Sequence, residues 1–188
     1  MREDIQKATE VMASGGLILY PTDTIWGIGC DATNEAAVQK VYELKKRADS
    51  KALIILIDNP VKLDYYLSEV PSLAIDLIDA SVDKPLTIIY DKARNLASNL
   101  IAEDGSIAIR VTEEKFSQEL CRRFRKALVS TSANVSGEPS PANFSEVSDV
   151  IKNGVDYIVQ YRQEDRSKSK PSSIIKLSNN GEIKIIRE

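Results

Sequence analysis

Histidine is absent from this chain of 188 residues. That absence excludes Ser-His-Asp and Cys-His catalysis and any His-ligated zinc site. Cysteine occurs only twice, as Cys30 and Cys121, with no C-x-x-C pair. A structural zinc cluster is thereby excluded, and each thiol reads as a free buried side chain suited to a reducing compartment, the cytoplasm. No stretch approaches ~18 consecutive apolar residues, so no membrane span is expected. The opening "MREDIQKATEVM" carries acids on an amphipathic pattern and is not a signal peptide. Excess positive charge is missing as well: 25 Lys and Arg against 28 Asp and Glu give a net charge of −3, so nucleic acid would have to be met by a local patch. Internal repeats, low-complexity runs and long linkers are also lacking, and residues 1–188 read as a single domain. An enzyme made from this composition works with Lys, Arg, Ser, Thr, Asn and carboxylates, through positioning and electrostatics.

The periodicities that are present alternate. Residues 3–13 carry Ile5, Ala8, Val11 and Met12 at helical spacing, ended by Gly15 and Gly16. "LILY" (17–20) and "TIWGIG" (24–29) read as strands. Asn34 caps a helix whose buried stripe is Val38, Val41 and Leu44. "ALIILI" (52–57) is a buried strand, and 60–67 and 71–80 are short helices. "LTIIY" (86–90) and "SIAIRV" (106–111) are strands, 113–127 is an amphipathic helix, and "LVST" (128–131) is a strand. Residues 144–152 read as helix and 156–160 as strand. "SIIKL" (173–177) and "EIKIIR" (182–187) form a hairpin around "SNNG". The pattern predicts an α/β fold (α+β in some schemes): three layers, with a twisted mixed β-sheet flanked by helices.

Three polar clusters sit at element junctions. "LKKRADSKAL" (44–53) puts Lys45, Lys46, Arg47 and Lys51 at the end of a helix and the mouth of a strand. It is either a solvated helix terminus or an anion site. Lys45 and Arg47 converge only if the helix ends between them. "VSTSANVSGEPSP" (129–141) follows an apolar strand with hydroxyls and an amide, in the place where open α/β sheets bind ligands. Ser132 and Asn134 alternate there and are expected to share a face. In "YPTDTIWGIGCDA" (20–32), Asp23 is a magnesium or amine ligand or simply makes an Asx-turn. Standard nucleotide signatures are missing. There is no G-x-x-x-x-G-K-[ST], and "GIG" (27–29) lacks the third glycine of a dinucleotide fingerprint.

Together and in this order, "YPTDTIWGIGCDA", "LKKRADSKAL" and "STSANVSGEPSP" resemble the YrdC family, and the resemblance extends through "SIAIRV" and "PSSIIKL…IKIIR". It implies an L-threonylcarbamoyladenylate synthase-like nucleotidyltransferase. Such an enzyme condenses L-threonine, bicarbonate and ATP (with Mg²⁺), releases pyrophosphate and feeds threonylcarbamoyl transfer to adenosine 37 of tRNA by downstream transferase proteins. The family's K-x-R and S-x-N tetrad falls on Lys45, Arg47, Ser132 and Asn134, which the resemblance assigns to ATP phosphates and substrate. By the same resemblance Thr24 meets the substrate threonine, Lys51 adds a phosphate contact, and Arg110 pairs with the threonine carboxylate or the nucleotide. Ser130, Ser140, Ser172 and Arg187 match cavity-lining positions. Ala48 and Ala52 replace two family prolines, which resembles the divergent YciO-like subgroup.

Two other readings stand beside this one. "CRRFRK" (121–126) and "RSKSK" (166–170) form either a double-stranded RNA- or tRNA-binding face or a solvated surface. A third possibility is a different carbamoyl-adenylate chemistry, or a nucleotide sensor without catalysis.

Overall fold

The structure, a computed structural model, describes residues 1–46, 53–81 and 83–188. Among these, nine strands form one mixed sheet in the order β7-β1-β2-β6-β3-β5-β4-β8-β9. The strands are β1 (Ile18–Tyr20), β2 (Gly27–Gly29), β3 (Ile54–Ile57), β4 (Leu86–Tyr90), β5 (Ile107–Val111), β6 (Leu128–Ser132), β7 (Tyr157–Ile158), β8 (Ser173–Leu177) and β9 (Ile183–Arg187). Three neighbouring pairs are parallel, β1 with β7, β3 with β5 and β4 with β8, and the other five are antiparallel. Helices flank this twisted sheet: α1 (Arg2–Ala13), α2 (Glu35–Leu44), α3 (Leu63–Tyr66), α4 (Ala74–Asp79), α5 (Lys115–Phe124) and α6 (Asp149–Gly154). No helix among the described residues is long and apolar enough to cross a membrane.

The central strands are short and apolar because they are covered on both sides. Every residue of β1 and β2 is buried, as are Ile55, Leu56 and Ile57 of β3. The stripe of α2 buries Ala37, Val38, Val41 and Tyr42, and its first turn is capped by Asn34, whose Oδ1 accepts from the Ala37 N–H at 3.1 Å. Gly29 is required by close packing. A Cβ there would lie 2.5 Å from Cε1 of Tyr20, whose ring is fully buried and whose hydroxyl donates to the Val129 carbonyl at 3.1 Å.

Several elements differ in extent from the sequence expectation (the helix read at 71–80 is Ala74–Asp79, for example), and three do so for a clear local reason. The strand expected from Thr24 begins only at Gly27. The Thr22 hydroxyl donates to the Ile25 carbonyl and accepts from the Thr24 N–H, closing a turn across 22–25. The helix expected over 113–127 is shorter. Glu114 caps its start by accepting from the Ser117 N–H, and Arg125 ends it in the left-handed region at φ 63°. The helical segment at 144–152 is divided into a 3₁₀ turn at Phe144–Glu146 and then α6.

Candidate active site

The sequence places a hydroxyl or a cation at several alternate positions near strand ends, and the sheet brings these into one row. Ile54 of β3 pairs across with Ala108 of β5 on one side and Ser130 of β6 on the other; Ala108 in turn pairs with Ile89 of β4. Side chains at alternate positions share a face. Arg110 therefore lies on the Ala108 side of β5, and Ser132 lies on the Ser130 side of β6. This face carries a cavity of about 260 Å³. Its polar lining includes Thr24, Arg110, Ser130, Ser132, Ser140 and Ser172, and Arg187 enters from β9. Ile54, Ile89, Ile174 and Ile186 form its apolar walls. A hollow of about 600 Å³ between α1 and α5 is larger, but two of its charged groups, Glu119 and Arg123, are already paired with one another.

Seven of the eleven residues singled out from the sequence thus line one cavity. Arg187 reaches it through a β-bulge: Ile174 pairs with Arg187 and Ile175 with Ile185, leaving Ile186 as the extra residue. Both Ile186 and Arg187 then border the cavity. Arg187 donates through Nε and Nη2 to the Ser172 carbonyl, at 3.0 and 2.7 Å. Burial, followed by the charge of Arg110, lowers its basicity, so two guanidinium groups face one small space.

Lys45 is 1% exposed and is not among the residues that border this cavity. It is the residue at which α2 stops, and Lys46 after it is left-handed at φ 50°, so the helix does end inside the cationic stretch. Its Nζ donates to the main-chain carbonyls of Ser132 and Asn134 at 2.5 and 2.6 Å, and its own carbonyl accepts from the Ser136 N–H at 2.9 Å. The remote basic and hydroxyl-rich segments are therefore stitched together. Arg47 and Lys51 lie outside the described residues.

Asn134 does not share the cavity face with Ser132. β6 ends at Ser132, and the turn beyond it directs the Asn134 amide to the carbonyls of Val135 and Glu138, at 3.0 and 2.8 Å. Among the described residues its buried Oδ1 has no hydrogen-bond partner, an arrangement that usually costs about 1–3 kcal/mol and marks a place where a donor is wanted.

Sequence reasoning missed Thr87 and left Asp23 open between a ligand and an Asx-turn. Among the described residues Asp23 pairs with Arg110: its Oδ1 accepts from Arg110 Nε at 3.1 Å and lies 3.0 Å from Nη2. Thr87 is fully buried, shares a proton with the Ser172 hydroxyl at 2.7 Å, and accepts from Arg110 Nη1 at 3.3 Å. A hydroxyl in the apolar run "LTIIY" was the available signal for Thr87; for Asp23 no local signal distinguished a partner in "SIAIRV" from a turn.

The mixed α/β sheet thus carries an arginine- and hydroxyl-lined cavity whose chemistry is complementary to small anionic ligands. The sequence profile of the Sua5/YciO/YrdC family, described as "Telomere recombination", matches residues 10–188, and the chain belongs to that family. It is 34% identical over 154 residues to a threonylcarbamoyl-AMP synthase of Pseudomonas aeruginosa, covering 82% of this chain and 83% of that protein. It is similar to Sua5 of P. abyssi in complex with L-threonine, at 25% identity and TM-score 0.82, over 92% of this chain; it spans half the length of that longer protein. E. coli YciO shares the fold, with TM-score 0.86 and 22% identity over 100% of this chain and 90% of that one.

Proposed function

We propose that this protein is a threonylcarbamoyl-AMP synthase, a nucleotidyltransferase that joins L-threonine, bicarbonate and ATP. The observation that supports it most is the convergence of hydroxyls and guanidinium groups from five separate chain segments in one cavity, in a family whose curated relatives carry that name.

On this reading the threonine amine takes up CO2 from bicarbonate with loss of water, giving an N-carboxylate. A carboxylate oxygen forms a bond to the α-phosphorus of ATP; the bond from that phosphorus to the bridging oxygen breaks, and pyrophosphate departs with the electron pair. The protein's part is to neutralise charge and hold the reactants in line. Arg187, Arg110, Ser130, Ser132, Ser140, Ser172 and Thr24 serve the cavity. Asn134 offers its Oδ1, without a partner among the described residues, to a donor at the loop, Lys45 holds that loop, and Arg47 and Lys51 contact phosphates by family resemblance. Among the described residues no group of three or more carboxylates or thiols is placed to hold a metal ion. Mg²⁺ belongs to this reading as the counter-ion carried by the ATP phosphates, which Mg²⁺ commonly binds with few protein ligands.

The product would pass to tRNA threonylcarbamoyl-transferase proteins. An RNA-binding role gains little support from "CRRFRK": Arg122 and Arg123 both pair with Glu119, and Lys126 pairs with Asp31. The test is pyrophosphate release from ATP and bicarbonate with and without L-threonine. Threonine-dependent release is expected, and Lys45→Ala and Arg47→Ala should each abolish it. Release indifferent to threonine, or RNA affinity that falls steeply with salt while ATP has no effect, would overturn the reading.

A further inference from the structure

β9 is the last strand at one end of the sheet, and among the described residues no strand pairs with its outer edge. All five of its residues are exposed, and three are isoleucines: Ile183 at 45%, Ile185 at 65% and Ile186 at 49%. The free main-chain groups of such an edge are a template for another strand, so edges are usually shortened, covered, or broken by proline or charge. Here Lys184 is the one charged side chain between Glu182 and Arg187.

The ladder fixes which main-chain groups are free. The Ser178 N–H donates to the Glu182 carbonyl at 3.0 Å, and from there Leu177 pairs with Ile183, Lys176 with Lys184 and Ile175 with Ile185. Cross-strand bonding alternates along an antiparallel pair. Glu182 and Lys184 therefore bond toward β8, and the N–H and C=O groups of Ile183 and Ile185 point outward. Side-chain faces are fixed as well. Ile174 borders the cavity, Lys176 follows on the same face, and Lys184 stands opposite Lys176. Lys184 and Ile186 thus share the cavity face, and Ile183 and Ile185 share the other.

We propose that β9 pairs antiparallel with β9 of a second copy of this chain, about a two-fold axis through Ile185, which joins the two sheets and sets the partner's Lys184 at the cavity mouth. A two-fold axis normal to the sheet places one residue opposite its own copy, which leaves few registers. Centred on Lys184, two ammonium groups would meet directly, which is destabilising. Centred on Ile183, Ile185 would face Gly181, which has no side chain to cover it. Centred on Ile185, the most exposed isoleucine of the strand meets its copy, and each Ile185 N–H donates to the other's carbonyl. Lys184 then lays its apolar stem over Ile186 of the partner. Directly opposed Cβ atoms are about 4.5–5.5 Å apart. Ile186 and Arg187 border the cavity, so each Lys184 adds an ammonium to the rim of the other protomer's hollow. That contribution rests on the proposed synthase reading; the pairing itself does not. Two five-residue edges cover less than the roughly 1,200 Å² of a standard interface, so the dimer is weak and reversible. Like charges also oppose it: the two Lys184 lie diagonally across the axis, and Glu182 faces the Glu188 end of the partner.

Sedimentation of the full chain should show a monomer–dimer equilibrium with a Kd of about 10–100 µM. It should tighten severalfold as salt rises from about 50 to about 500 mM and screens those charges. Ile185→Lys opposes two ammonium groups on the axis and should leave only monomer, with an unchanged thermal melt because Ile185 is mostly exposed. Cys30 and Cys121 are buried, so an added surface thiol can be read alone. Opposed residues of a hydrogen-bonded pair have Cα atoms about 5.5 Å apart, within disulfide range. With oxidised glutathione, Ile185→Cys should give a covalent dimer and Ile183→Cys should not. Lys184→Ala should weaken ATP binding about threefold where the dimer forms, the effect of one exposed charge, and should have no effect in an Ile185→Lys background. A chain that stays monomeric to about 500 µM leaves this edge to a strand of a different protein and overturns the pairing. A dimer that survives Ile185→Lys, or one cross-linked through Ile183→Cys instead, overturns it too. An equal loss from Lys184→Ala in both backgrounds returns that lysine to its own cavity and overturns the shared rim. A dimer that binds neither ATP nor threonine upholds the pairing and overturns the synthase reading.

Discussion

A lysine buried to 1% exposure beside the hydroxyl-rich loop is the strongest single-residue statement in the molecule. Its Nζ donates to the main-chain carbonyls of Ser132 and Asn134, so the cation predicted at the ligand also ties the hydroxyl-rich loop to the end of α2. Lys45→Met should therefore lower turnover by at least about a hundredfold and also cost about 2–4 kcal/mol of stability, because two carbonyls lose a charged donor; chemical denaturation and the pyrophosphate assay read the two effects separately. A stability loss without an activity loss would place the clamp outside the site. Cys30 and Cys121 offer a second test. Burial pushes both thiols well above the ordinary cysteine range, so native protein should resist a thiol reagent that labels both rapidly once the chain is unfolded. The buried character of these thiols was readable from their isolation in sequence. The partnership of Asp23 with Arg110 was not, because 87 positions separate them and neither local pattern names the other.

At the scale of elements, most helices and strands were legible from periodicity, and their ends were not. Side-chain caps and turns decide ends: Thr22 delays β2, Glu114 starts α5 late, and Arg125 stops it early. The Asn34 cap was visible in sequence, and it holds the helix that delivers Lys45. Asn34→Ala should cost about 1 kcal/mol in denaturant melts. The first helix is tied to the far edge of the sheet by Asp4, which accepts from the Tyr157 hydroxyl and the Gln160 N–H, both at 2.8 Å. Burial alone would raise the Asp4 carboxyl, but these two bonds together with the N-terminal ammonium of Met1, 3.4 Å away, outweigh it and hold the group below its ordinary value. A carboxylate whose folded pKa is depressed stabilises the fold above its unfolded pKa of roughly 4, and that contribution disappears as pH falls through the folded value. Wild-type stability should thus drop below about pH 4, and Asp4→Asn, already weaker at neutral pH, should show a shallower acid limb. An acid limb of equal slope in the variant would remove Asp4 from the account.

For the whole molecule, composition alone narrowed the chemistry. A chain without histidine and with two isolated cysteines has lysine, arginine, hydroxyls and carboxylates to work with, and the order of its polar clusters resembles one family across nearly its full length. Strand and helix patterns are local quantities, set by side-chain burial every two or every 3.6 residues, so they could be read directly. The cavity is a product of register. Ile54, Ala108, Ser130 and Ile89 meet in one row because of how β3, β5, β6 and β4 pair, and a slip of one residue would turn each of these side chains to the opposite face. Long-range packing also decided that Lys45 bonds to the Ser132–Asn134 segment, that the Asn134 amide turns to Val135 and Glu138, and that a bulge in β9 brings Arg187 to the cavity. These are relations between residues far apart along the chain, which burial patterns cannot encode; they exist only once the sheet has closed around them.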